Sequence, residues 1–161
     1  MKELDVLGVR VEMPNNAPIV LLRERDGQRY LPIWIGAPEA TAIAYAQQGV
    51  EPPRPLTHDL MVNLIRDLGH QLEQVRITGM ENNVFYATLV FDDGSRLIES
   101  RPSDAIAIAL RSATPILAEE SLLELAGVTM AVEDEDEVER FREFLDNVSA
   151  EDFDEGEDQT G

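Results

Sequence analysis

Cysteine is absent from the 161 residues. That excludes disulfides, thiolate zinc centres and cysteine nucleophiles together. Lysine is nearly absent too. Of thirteen basic residues only Lys2 is a lysine, and the others are arginine. Long hydrophobic runs are missing. No stretch of about 18 apolar residues exists, so the sequence predicts no membrane span. The opening MKELDVLGVRVEM lacks an apolar signal core and a small-residue cleavage site, and reads as a strand rather than a signal peptide. These absences point to a cytoplasmic chain. A basic excess is missing as well: thirty-two acids give a net charge of −19. Tight, non-specific wrapping of nucleic acid needs a net basic face, so that class is excluded on charge. A local arginine patch is not.

The acids are concentrated at one end. Residues 133–161 hold fourteen acids and two bases, against eighteen and eleven over residues 1–132. With 43% hydrophobic residues the body can build one real core. The division this suggests is a domain over 1–132, an acidic amphipathic helix over 133–148, and a disordered acidic tail over 149–161. In the helix, Val138, Phe141, Phe144, Leu145 and Val148 share one stripe.

Along the body, alternation predicts strands over Glu3–Met13, with a phase slip at Leu7-Gly8, then Ile19–Arg25 and Arg29–Ile35. Pro32 marks the last of these as an edge or a bulge. A Pro38-led helix runs to Gln48 and stops at Gly49. Thr57 is the expected N-cap of a second helix, where Leu60, Met61, Leu64, Ile65 and Leu68 recur at helical spacing. Strands follow over Leu72–Thr78, Asn83–Phe91 and Arg96–Glu99, the middle one apolar enough to be central. A helix from Ser103, a short strand at Pro115–Leu117 and a small helix over Glu119–Ala126 complete the body. Ala42–Ala46 resembles Ala105–Ala109, and each lies after a hairpin with an acidic-Gly turn. A duplicated β-β-α unit would explain the match; chance likeness of alanine-rich helices would too. The fold class expected is α+β: one domain with a mixed or antiparallel sheet and packed helices.

The most informative stretch is ESRPSDAIAIALR, Glu99–Arg111. A strand passes into a helix here, and Pro102 suits the first helical turn. An arginine and two carboxylates beside a helix N-terminus suit a phosphate or a metal ion. The plain alternative is that Ser103 and Asp104 cap the helix while Arg101 pairs with Glu99. Likewise Glu39 and Asp59 lie in first helical turns, where acids favour the helix dipole. For His58 and Arg54 the plain alternative is to hold the proline-rich loop. Trp34, opposite the apolar set of its strand, suits the core, an oligomer contact or base stacking.

Three strings, YLPIWIGAPEATAIA, GVEPPRPLTHDLM and RPSDAIAIALR, in this order and spacing, resemble the bifunctional nuclease domain family. The resemblance covers about residues 3–130, and DEVERFREFLDNVSAEDF is similar to actinobacterial members. It implies an α+β domain that forms homo-oligomers and cleaves DNA and RNA as substrates. The alanine-rich helices, the Pro32 strand and Trp34 are the features expected to carry a homodimer or higher homo-oligomer. For phosphodiester hydrolysis the candidates in these strings are Glu99, Arg101, Asp104 and His58 as catalytic residues. Arg54, Arg101 and Ser103 are candidates to bind substrate, and Glu39 is a further candidate from the same strings. Glu99, Asp104 and Asp59 are candidates to hold Mg²⁺ or Mn²⁺. No HNH-type cluster, P-loop or paired-histidine zinc spacing accompanies them. The competing reading is a non-catalytic oligomeric module that binds a partner or a small anionic ligand.

Overall fold

A computed structural model describes residues 1–12 and 16–129. The C-terminal helix and tail expected over 133–161 lie outside the described residues. Eight strands form one mixed sheet: β1 Lys2–Glu12, β2 Ala17–Glu24, β3 Arg29–Trp34, β4 Leu72–Glu81, β5 Val84–Phe91, β6 Arg96–Ser100, β7 Ile116–Ala118 and β8 Val128–Thr129. Four helices accompany it: α1 Ala37–Gln48, α2 Thr57–Asp67, α3 Pro102–Ser112 and α4 Glu120–Ala126. This is the α+β class that the sequence predicts.

The sheet order is β6-β5-β4-β7-β1-β2-β3-β8. All pairs are antiparallel except β4 with β7. Each half is therefore a three-stranded meander followed by a helix: β1-β2-β3-α1 and β4-β5-β6-α3. The two halves flank β7. The repeat is thus one strand longer than the β-β-α unit. The phase slip read at Leu7 is a register shift between Val6 and Gly8, and β4 carries matching irregularities. The turns Asp26-Gly27 and Asp93-Gly94 occupy equivalent places. The helices, however, correspond with Ala37 matching Pro102, two residues away from the alanine match. In this register the buried Ala40, Ile43 and Ala44 of α1 match the buried Ala105, Ile108 and Ala109 of α3.

The small side chains let α1 and α3 pack closely on each other and on the sheet. The three alanines of α3 are buried, as are Ala40 and Ala44 of α1, while Ala37 is exposed and Ala42 and Ala46 are half-buried. The core joins them with Leu4, Val20, Leu22, Leu31, Val75, Ile77 and Leu89, among others. Gly49 ends α1 in the left-handed region, φ 66°, and its N–H returns to Ala46 and Tyr45 carbonyls. Buried Glu24 accepts both Nε and Nη2 of Arg29, at 3.0 and 2.8 Å. Arg29 also reaches Glu120, fastening the β2–β3 hairpin to α4.

Two expectations change. β5 is second from the edge rather than central, and only its later half is buried, from Ala87. β3 is not the outermost strand, although β8 pairs with only Arg29 and Tyr30 and leaves the Pro32 end uncovered. No residue of α2 is buried. Val62 and Ile65 lean on the core. Leu60, Met61, Leu64 and Leu68, which share the helical spacing, are exposed.

Candidate active site

The first turns of three helices converge. Glu39 is the third residue of α1 and Asp104 the third of α3, so the two carboxylates occupy equivalent places in the two repeats. Arg101, the residue preceding α3, joins them. Its Nη2 donates to Glu39 Oε1 at 2.7 Å and its Nε to Asp104 Oδ2 at 2.8 Å. From the first turn of α2, His58 Nε2 lies 2.9 Å from Asp104 Oδ1. The result is a chain, Glu39–Arg101–Asp104–His58, built from residues far apart in sequence. Beside it, Arg111 Nε donates to Asp59 Oδ1 at 2.8 Å, and Arg111 Nη1 to the Ala107 carbonyl at 2.9 Å. Asp59 Oδ2 accepts the Leu56 N–H at 3.0 Å. Leu56 rather than Thr57 is thus the N-cap, and Asp59 both closes the helix start and fixes α2 to α3.

The electrostatics follow from these contacts. Burial pushes the Asp104 carboxyl up, but hydrogen bonds from Arg101 and His58, with their charges, outweigh it. The net effect holds Asp104 below its ordinary value. Asp59 behaves alike: burial raises it, and Arg111, the Leu56 N–H and nearby charge bring it down further. Arg101 holds its proton more tightly, chiefly through Asp104 and then Glu39. Whenever the imidazole is neutral, an ionised Asp104 makes Nε2 its protonated nitrogen and leaves Nδ1 as the acceptor. Arg101 stays 65% exposed. Two of the five N–H donors of its guanidinium are used in these bonds.

The structure thus brings together Glu39, His58, Arg101 and Asp104, with Asp59 alongside. Ser103 is buried in the same turn. Arg101 pairs with Glu39 and Asp104, not with Glu99. No side-chain cap bond forms at the α3 N-terminus, so Asp104 is not its cap. Glu99 is exposed on β6, and Arg54 is exposed in the proline-rich loop. Neither makes an ion pair within the described residues. Trp34 is exposed at the end of β3, outside the core. Arg111 was the residue the sequence reading missed. Its signal was the spacing: it lies seven residues after Asp104, on the same helix face, in an otherwise apolar helix.

The donor set does not suit a divalent cation. Among the described residues no three His, Asp or Glu side chains group to hold one. Both Asp104 oxygens are engaged, by Arg101 and His58, and both Asp59 oxygens, by Arg111 and the Leu56 N–H. Among the described residues, no helix is long and apolar enough to cross a membrane.

Fold and junction together define a small duplicated α+β domain with a polar centre where its helices begin. The model of the bifunctional nuclease domain family matches residues 20–131, and the chain belongs to that family. An uncharacterized protein of Mycobacterium tuberculosis is 54% identical over 162 residues, covering 95% of this chain and 98% of that protein. Bifunctional nuclease 1 of rice, Oryza sativa subsp. indica, is 29% identical over 116 residues, 69% of this chain and 35% of that protein. Bifunctional nuclease 2 of Arabidopsis thaliana is 30% identical over 112 residues, 65% of this chain and 34% of that protein. The match thus spans about a third of these two plant proteins.

Proposed function

We propose that this chain hydrolyses phosphodiester bonds of DNA and RNA at the Glu39–Arg101–Asp104–His58 junction. The observation that carries this reading is the convergence of three helix N-termini on one exposed guanidinium. Each N-terminus contributes roughly half a positive charge. These partial charges, with Arg101, offset the Glu39 and Asp104 carboxylates and give a phosphate somewhere to rest on a chain of net charge −19. In this reading Arg101 takes the phosphate with its remaining N–H donors and stabilises the charge that builds on its oxygens. Glu39 and Asp104 hold the guanidinium in place. His58, oriented by Asp104, accepts a proton from the attacking water at Nδ1 or returns one to the leaving oxygen. No step is assigned to a metal ion, because the donors present do not fit one.

The test is cleavage of labelled single- and double-stranded DNA and RNA by the purified chain, with melting recorded on the same samples. Arg101→Ala is expected to lose about 10²-fold in rate, the scale of losing one charge-stabilising donor, while its circular dichroism stays that of a folded protein. His58→Asn is expected to lose a similar factor and to flatten the pH profile. A folded Arg101→Ala protein that cleaves at the wild-type rate removes the junction from the chemistry. The alternative, a non-catalytic module for an anionic ligand or a partner, is favoured by one observation: each charge of the junction is already satisfied within the protein. Binding of an oligonucleotide with no turnover would establish it.

A further inference from the structure

The third residue of each of three helices is an acid: Glu39 in α1, Asp59 in α2 and Asp104 in α3. From that place a carboxylate can reach back to the backbone N–H of the N-cap residue, and Asp59 does so with Leu56. Glu39 turns to another partner. Its Oε1 accepts Arg101 Nη2 at 2.7 Å, and its side chain is only 13% exposed. Its second oxygen, Oε2, lies against the N-cap residue Gly36. A Cβ on Gly36 would stand 2.5 Å from Oε2 and 3.5 Å from Cδ of Glu39. The next nearest atom, Pro38 Cδ, would be 3.8 Å away, an ordinary contact. The Glu39 carboxylate thus fills the space of the missing side chain. The backbone itself does not call for glycine. At φ −81° and ψ 159° it is extended, a conformation open to any L residue.

We infer that Gly36 is a positioning residue: the absence of its side chain lets Glu39 grip Arg101, and that grip presents the guanidinium to a phosphate. The inference rests on the reading of the junction as a phosphate site. Two features of the geometry carry it. The first is the number of anchors. One hydrogen bond leaves a guanidinium free to swing, and two from different directions fix its plane. Asp104 takes Nε and Glu39 takes Nη2. Nη1, with both its N–H groups, has no part in either bond. On a side chain 65% exposed, it is the group offered to an anion. The second feature is the repeat. In the register that matches Ala37 with Pro102, Gly36 is the counterpart of Arg101 itself. The same place therefore carries the guanidinium in one repeat and an empty space in the other. The carboxylate that fills the space is the one that serves the guanidinium. A second arginine at this place would displace Glu39 and set like charges side by side. The junction is thus built for one cation with two anionic supports, and glycine is what admits the second support.

The test is Gly36→Ala in the full chain. Its Cβ must push Glu39 Oε2 aside, which the end of a flexible side chain permits, so the melting temperature should stay close to that of wild type. Arg101 is then held by Asp104 alone. Rotation about the Arg101 Cζ–Nη2 bond, followed by ¹⁵N NMR, should speed up several-fold. Cleavage of a labelled single-stranded DNA oligonucleotide should slow about tenfold through lost positioning. Glu39→Ala should reproduce both effects. Adding Gly36→Ala to Glu39→Ala should then change neither readout, because the two residues act through one contact. Gly79→Ala, whose Cβ meets nothing within 4 Å, should match wild type in both. A folded Gly36→Ala protein whose Arg101 rotates as slowly as in wild type overturns the inference. So does a further loss when Gly36→Ala is added to Glu39→Ala. A Gly36→Ala chain that does not fold overturns it too, since glycine would then be needed by the fold. Wild-type rotation in Glu39→Ala does the same without relying on any glycine variant. The rotation is readable whether or not the chain cleaves. A chain that neither cleaves nor binds the oligonucleotide, yet releases Arg101 in Gly36→Ala, removes the phosphodiester reading and leaves the grip of Glu39 on Arg101 standing.

Discussion

Removing the Arg111 side chain should separate α2 from α3 without touching the proposed phosphate site. Arg111 is 9% exposed and its partner Asp59 a quarter exposed, so the pair is largely out of water. Breaking a buried pair by deleting one partner costs about 3–5 kcal/mol, because the other charge is left behind. Here the cost is smaller. Asp59 keeps the Leu56 N–H and has some access to solvent, which puts Arg111→Ala near 2–3 kcal/mol by the same reasoning. For a domain of this size each kcal/mol moves the melting temperature by about 3–5 °C. A fall of roughly 10 °C is therefore expected, with the urea midpoint lowered and the slope unchanged. The consequence for the site is indirect. Asp59 and His58 are neighbours in the first turn of α2, so a loosened turn misplaces the imidazole. Cleavage per folded molecule should fall on the order of tenfold through lost positioning. Differential scanning calorimetry and a cleavage assay well below the melting point read both effects. Arg111→Lys should recover part of each, since it keeps the charge but not the fork that also holds Ala107. An Arg111→Ala protein that melts within about 2 °C of wild type would refute this account of how α2 is held.

Two further outcomes are expected. Asp59, Asp104, Glu24 and Glu120 all have lowered folded values. The stability they contribute is complete above the ordinary carboxyl values of 3.8 and 4.5 and is lost as pH falls through the lowered ones. Melting temperature should hold from neutral pH to about 5 and drop below about 4. Asp104→Asn should shallow that acid limb, and an unchanged limb would show that Asp104 is not held down in the fold. Deleting residues 149–161, which carry acids and no bases, should strengthen oligonucleotide binding at low salt. The gain should fade as salt screens the repulsion, and an effect constant with salt would show that it is not electrostatic.

Periodicity sufficed for most of the architecture, because strands and helices with one buried side write that side into the sequence. The bulge at Leu7, the Gly49 stop and the Pro-led starts of α1 and α3 were all local signals of this kind. The helix α2 was read from the same kind of spacing. A leucine stripe states that a face avoids water, but not whether the shelter comes from the same chain. The junction was half legible. First-turn acids and the arginine before Pro102 stood out, yet Arg101 was paired with nearby Glu99, because a pairing across the two repeats leaves no local trace. The alanine match hinted at equivalent helices. The capping geometry was needed to show that Glu39 and Asp104 are the equivalent pair.

The contacts of the junction join residues 62, 46 and 52 positions apart. Long-range contacts close late, after the loop entropy between them has been overcome. During synthesis the first repeat emerges with Glu39 unpaired, and its counter-charge is supplied only when α3 docks. The junction therefore assembles only after both repeats are present. A chain holding only the first repeat has no such junction, and cleavage, if the proposed reading holds, should appear on refolding no earlier than the docking of α3 on α1.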